Sequence, residues 1–187
     1  SRDAQRAMWI EARVPPTSHL VRRDGDGQAH PVVRNVDTGL LVMGLDADFN
    51  LRRLERYLAL VQGAGIVPVV VLTKADVLGA DGALAERLAE LRGRVPTHVD
   101  VVAVNATHPS AAQALEAYLA RGQTLVLLGS SGAGKSTLTN TLLGTAAQDT
   151  GAVRAHDSRG KHTTTARSLH RLPGGACVID TPGLRTL

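Results

Sequence analysis

From Val36 onward, short apolar runs alternate with longer amphipathic stretches. Gly39–Leu45, Val67–Thr73, Val99–Asn105 and Thr124–Leu128 are rich in Val and Leu and of strand length. Runs this continuous suit strands buried on both faces. Between them, Asn50–Gln62, Asp81–Arg92 and Ser110–Arg121 read as helices, with Asn50 and Asp81 placed as N-caps. Alternation of this kind predicts an α/β fold, a parallel sheet covered on both faces. After the fourth run, a Gly-rich turn opens another helix, Lys135–Leu143, followed by a polar stretch, Gly144–Thr165. Ala166–Leu172 and Ala176–Asp180 then read as two further strands, which makes the expected sheet six-stranded and mostly parallel. Ser1–Asn35 differs: patches at Met8–Val14, His19–Arg23 and Pro31–Arg34 surround a turn-like Asp24-Gly25-Asp26-Gly27. They read either as hairpin strands remaining from a small β-domain or as an extended arm. The expected division is therefore 1–35 and 36–187.

Composition adds exclusions. The 187 residues are 43% hydrophobic, enough for a packed core. No segment approaches the ~20 uninterrupted apolar residues of a membrane span. Ser1–Ile10 lacks the apolar stretch of a signal peptide, although a chain opening without Met fits a piece of a longer protein. Cys177 is the single cysteine, so no disulfide can form within the chain. A cytoplasmic protein without membrane contact, and a monomer, is the expectation. The net charge of +4 permits nucleic-acid contact, but four aromatics are too few for a base-stacking platform. Lysine occurs three times only, as Lys74, Lys135 and Lys161, each inside a motif.

Gly129-Ser130-Ser131-Gly132-Ala133-Gly134-Lys135-Ser136, with Thr137 behind it, matches the phosphate-binding P-loop. Its glycines let successive N–H groups and the next helix N-terminus face a phosphate chain. Lys135 would reach the β- and γ-phosphates and the Ser136 hydroxyl would ligate Mg²⁺. Thr73-Lys74-Ala75-Asp76 resembles the guanine-specificity motif Asn/Thr-Lys-x-Asp. Its carboxylate can accept from the guanine ring N–H and exocyclic amine, a donor pair that adenine lacks. Thr73 stands where Asn is commoner, so one contact to the base is expected to be weaker. Val104-Asn105-Ala106 resembles the small-residue loop beside the guanine carbonyl. Asp180-Thr181-Pro182-Gly183 matches Asp-x-x-Gly, with Asp180 holding Mg²⁺ through water and Gly183 N–H meeting the γ-phosphate. One of Thr163, Thr164 and Thr165 can close on Mg²⁺; Thr164 is the choice, against a merely solvated stretch. Together these motifs point to GTP or GDP with Mg²⁺.

Their order is unusual. A conventional GTPase runs from the P-loop to the guanine motif, whereas here the guanine motif and small-residue loop precede the P-loop. The fold expected is a circularly permuted three-layer P-loop GTPase sandwich with a short N-terminal β remnant. Together with Asn35–Thr38, Asp48–Leu58 and Gly160–Thr165, these motifs resemble the RsgA (YjeQ) type of permuted GTPase. That resemblance implies an N-terminal OB barrel, of which Ser1–Asn35 would be the last part. It also implies a C-terminal zinc-binding domain, which does not fall within these residues. The implied function is late maturation of the small ribosomal subunit, with rRNA contact and GTP hydrolysis stimulated by that subunit. Leu184 follows Asp-x-x-Gly where Ras-like enzymes place the water-orienting Gln, and Gly132 replaces the Asn of potassium-activated relatives. His162 is the candidate substitute, as the resemblance also implies; the alternative is a solvent-facing histidine. Missing Gln leaves a rival open, a nucleotide-gated RNA adaptor with negligible hydrolysis.

Overall fold

A computed structural model of the chain describes residues 10–23, 25–78, 82–144 and 167–182. Six strands form one sheet: β3 (Thr38–Gly44), β4 (Val67–Thr73), β5 (Asp100–Ala103), β6 (Thr124–Leu128), β7 (Ser168–Arg171) and β8 (Cys177–Asp180). Their spatial order is β5-β4-β3-β6-β8-β7, parallel throughout except for the antiparallel pairing of β7 with β8. Helices α1 (Leu51–Gly63), α2 (Ala83–Arg92), α3 (Ser110–Ala114) and α4 (Lys135–Leu143) connect and cover it.

Side-chain alternation along the central strands explains the three layers. Leu41, Met43, Val70, Leu72, Val126 and Leu128 face one cluster with Leu54, Tyr57, Leu58 and Val61 of α1. Leu40, Val42, Val69, Val71, Leu125 and Leu127 face the other, with Ala111 of α3 and Leu138 and Leu142 of α4. Every residue of β3 is buried, as its continuous apolar run requires. The N-terminal strands β1 (His19–Arg23) and β2 (Ala29–Arg34) form an antiparallel hairpin. Leu20, Val32 and Val33 from it join the α1-side cluster. Ser18 fastens the hairpin to β3, its hydroxyl donating to the Val36 carbonyl and accepting from the Val36 N–H, each at 2.8 Å. Met8 and Trp9 lie outside the described residues, and 10–14 carries no strand.

Two helix expectations need correction. Asn50 does cap α1, its side chain accepting from Arg53 N–H at 2.9 Å. The start of α2 is instead marked by Gly82 in the left-handed region with no side-chain cap, while Asp81 falls outside the described residues. The helix expected over Ser110–Arg121 stops at Ala114 and gives way to a 3₁₀ turn, Glu116–Tyr118. Leu115 between them leaves helical geometry, and the Tyr118 hydroxyl is drawn to the Asp100 carboxylate across the sheet edge. Burial first, and that carboxylate second, push the Tyr118 hydroxyl up to about 12. Among the described residues, no helix is long and apolar enough to cross a membrane.

Candidate nucleotide site

Strands β3, β4, β6 and β8 run parallel, so their C-terminal ends share one edge of the sheet. Open α/β sheets bind ligands at that edge. Gly129–Ser136 leaves β6 there and opens α4. Gly129 can only be glycine: a Cβ would lie 2.3 Å from the Val42 carbonyl oxygen. Gly134 has φ +93°, and a Cβ there would press on Thr73 at 3.3 Å. Ala133 is buried, whereas Ser131, Gly132 and Thr137 are exposed, leaving the loop an open rim above a packed base.

Lys135 is folded back into the loop, its ammonium donating to the carbonyls of Gly129 at 3.1 Å and Ser130 at 2.7 Å. Burial pulls its proton affinity below the ordinary lysine value, while Asp180 and Asp48 pull it back up. A cation held on carbonyls in a half-dry site is ready to exchange them for phosphate oxygens. Ser136 Oγ donates to Asp180 Oδ2 at 2.9 Å. Asp180 Oδ1 is buried and has no hydrogen-bond partner among the described residues. An orphaned carboxylate oxygen beside a hydroxyl is a hard, oxygen-only donor set, which fits Mg²⁺.

The residues that match the guanine motif are brought to the same edge. Thr73 is fully buried, and its hydroxyl donates to the P-loop carbonyl of Ala133 at 2.6 Å, sixty residues away in sequence. Threonine at this position therefore fastens one motif to the other. Lys74 adopts φ +60°, uncommon for a side-chain-bearing residue, and its ammonium sits 2.6 Å from Asp46. Ala75 is half-buried and Asp76 exposed at the turn. Asn105 accepts from the N–H of Thr107 at 3.0 Å and from its hydroxyl at 2.6 Å, forming a local turn. The Ala106 carbonyl accepts from Thr141 of α4 at 2.6 Å, so the helix behind the P-loop also holds the small-residue loop. Next to Asp180, Thr181 is buried and donates to the Leu127 carbonyl of β6 at 2.6 Å. His162, Thr163, Thr164, Thr165, Gly183 and Leu184 lie outside the described residues.

The sequence assigned no role to Asp46, and it marked Asp48 and Arg53 only as part of the family-like stretch Asp48–Leu58. Asp46 meets Lys74, and Asp48 meets both Arg53 and the Ser130 hydroxyl. The strand order explains their placement: β3 lies between β4 and β6, so an Asp-x-Asp directly after it falls between the guanine-motif match and the P-loop.

The strand order with a P-loop after β6, preceded in the chain by the guanine-motif match after β4 and the small-residue loop after β5, defines a circularly permuted P-loop fold. Residues 13–187 match the family model described as RsgA GTPase. The chain is 59% identical over 181 residues to "Small ribosomal subunit biogenesis GTPase RsgA" of Xanthomonas euvesicatoria pv. vesicatoria (strain 85-10), covering 95% of this chain and 49% of that protein. It thus spans about half the length of the curated relatives it matches. YjeQ from Thermotoga maritima superimposes with TM-score 0.66 at 23% identity, over 93% of this chain and 54% of that one. YloQ, a circularly permuted GTPase, superimposes with TM-score 0.60 at 21% identity, over 95% and 60%. The chain belongs to the RsgA GTPase family.

Proposed function

We propose that this chain binds GTP and GDP with Mg²⁺ and hydrolyses GTP as a switch in late maturation of the small ribosomal subunit, which stimulates the reaction. The observation that carries the reading is the Thr73–Ala133 hydrogen bond, which sets the guanine motif against the P-loop at one edge of the sheet. The name of the Xanthomonas relative supports the ribosomal role. The protein acts in the cytoplasm as a monomer, without a membrane partner, and contacts rRNA. Residues 1–35 end an OB-like domain, and zinc belongs to a domain beyond these residues.

In this reading Lys74 lies over the base, Asp76 accepts its two donors, and Asn105 and Ala106 border its carbonyl. Gly129–Thr137 surrounds the phosphates. Ser136 would hold Mg²⁺ directly and Asp180 through water, with Thr164 completing the set; bound there, the ion supplies charge neutralisation for the phosphates. Gly183 meets the γ-phosphate and His162 positions the attacking water. Single-turnover GTP hydrolysis by the full-length protein should accelerate on adding small subunits. Equal rates with and without them would favour a nucleotide-gated adaptor instead.

Base choice is tested separately. Asp76→Asn exchanges a double acceptor for an amide that can pair with xanthine. GTP affinity should fall by ~2–4 kcal/mol, while xanthosine triphosphate binds better. Unchanged GTP affinity in an equilibrium titration would remove Asp76 from the site.

A further inference from the structure

Strand β3 is paired with β4 on one side and β6 on the other, over seven and four registered residues respectively. Its exit turn is therefore flanked by the guanine-motif loop and by the P-loop. The turn is rigid. Leu45 N–H donates to the Thr73 carbonyl at 3.0 Å, and Phe49 N–H to the Asp46 carbonyl at 3.0 Å. Each carboxylate uses one oxygen on the turn itself: Asp46 Oδ1 accepts from Asp48 N–H at 3.1 Å, and Asp48 Oδ2 from Gly44 N–H at 3.0 Å. Each turns the other oxygen outward. Asp46 Oδ2 takes the Lys74 ammonium at 2.6 Å, while Asp48 Oδ1 takes the Ser130 hydroxyl and the Arg53 guanidinium, the latter at 2.6 Å. Arg53 also donates to the Asp48 backbone carbonyl.

Bare carboxylates beside a phosphate site would repel the ligand. Here each is neutralised by a cation, so their use is to hold other groups. Nor is stability a sufficient reason for the Lys74–Asp46 pair, whose side chains are 33% and 32% exposed; pairs that open contribute little to folding. What both contacts determine is where Lys74 and Ser130 sit.

We propose that Asp46 and Asp48 are positioning residues for the nucleotide: Asp46 holds Lys74 over the base, and Asp48, backed by Arg53, holds the P-loop through Ser130. One turn thereby sets the distance between the base and phosphate subsites. The inference rests on Gly129–Ser136 being the phosphate loop, and deepens that reading.

The test compares GDP with GMP, since GMP carries the base but no β-phosphate for the P-loop to grasp. Affinities are measured by equilibrium titration with Mg²⁺ on the full-length protein, alongside its melting temperature. Asp48→Ala should weaken GDP about tenfold and leave GMP nearly unchanged. Ser130→Ala should do the same, and the double variant should lose no more than either single one. Asp48→Asn, which keeps an acceptor for Ser130, should recover part of the loss. Asp46→Ala should weaken GDP and GMP by the same factor, about fivefold. If Asp48→Ala fails to fold, Ser130→Ala carries the same expectation. A lower melting temperature with unchanged GDP affinity, or equal losses for GDP and GMP in Asp48→Ala and Ser130→Ala, overturns the proposal. Lys135→Ala separates this failure from that of the underlying reading: unchanged GDP affinity there would mean the P-loop does not hold phosphate.

Discussion

Lys135→Ala is expected to weaken GTP and GDP binding together, by about 2–5 kcal/mol, the cost of removing one partner from a desolvated charge pair. The ammonium already lies on the Gly129 and Ser130 carbonyls, at the centre of the loop that would wrap the phosphates. Ser136→Ala should act differently, mainly abolishing the Mg²⁺ dependence of binding, because its hydroxyl stands against Asp180. Wild-type GTP affinity in Mg²⁺ for both variants would make the P-loop assignment wrong. A pH effect accompanies the first variant. Burial lowers the Lys135 proton affinity from the ordinary 10.5, so between its folded pKa and 10.5 the unfolded chain holds more protons than the fold. Nucleotide-free protein should therefore gain stability as pH rises through that window. Lys135→Met keeps the stem but not the charge, and should flatten the gain in denaturant titrations across that range.

The second large effect concerns His162→Ala. Residues 150–171 carry Arg154, Arg159, Lys161, Arg167 and Arg171 against Asp157 alone, and contain no aromatic residue. Such groups suit phosphate contacts rather than base readout. In the proposed function, docking on rRNA would seat Thr164 at Mg²⁺ and bring His162 to the water attacking the γ-phosphate. The variant should keep nucleotide affinity and lose ~10²–10⁴-fold of the hydrolysis that small subunits stimulate. Stimulated turnover of the full-length protein decides the matter. If the variant is stimulated like wild type, the catalytic group has to come from the ribosome.

The fold was largely legible because a parallel strand buried on both faces reads as a continuous apolar run. Val67–Thr73 and Thr124–Leu128 fall where their Val and Leu content places them, and Lys135–Leu143 follows its glycines as a helix. What could not be read depended on contacts distant in sequence. Nothing around Ser110–Arg121 announces that Tyr118 is drawn to Asp100, which accompanies the break of that helix. Nor does the Thr73–Asp76 motif announce that the Thr73 hydroxyl bonds the Ala133 carbonyl, sixty residues on. The contacts of Asp46 and Asp48 could not be read either, since their partners Lys74 and Ser130 arrive after two other strands.

The permuted order also divides the sheet. Strands β3, β4 and β5 are neighbours in space and come first in the chain, while β6, β8 and β7 are neighbours and come last. A single seam, β3 beside β6, joins the halves, with Thr38–Leu41 registered on Leu125–Leu128. The loops proposed to hold the base belong to the early half and the P-loop to the late half. In the proposed reading, a nucleotide lying across both would work as a bolt over that seam. Ligand binding would then stabilise the union of two halves rather than a single loop. During synthesis the early half can assemble its three strands before β6 emerges, but it has no grip on phosphate until the late half closes against it.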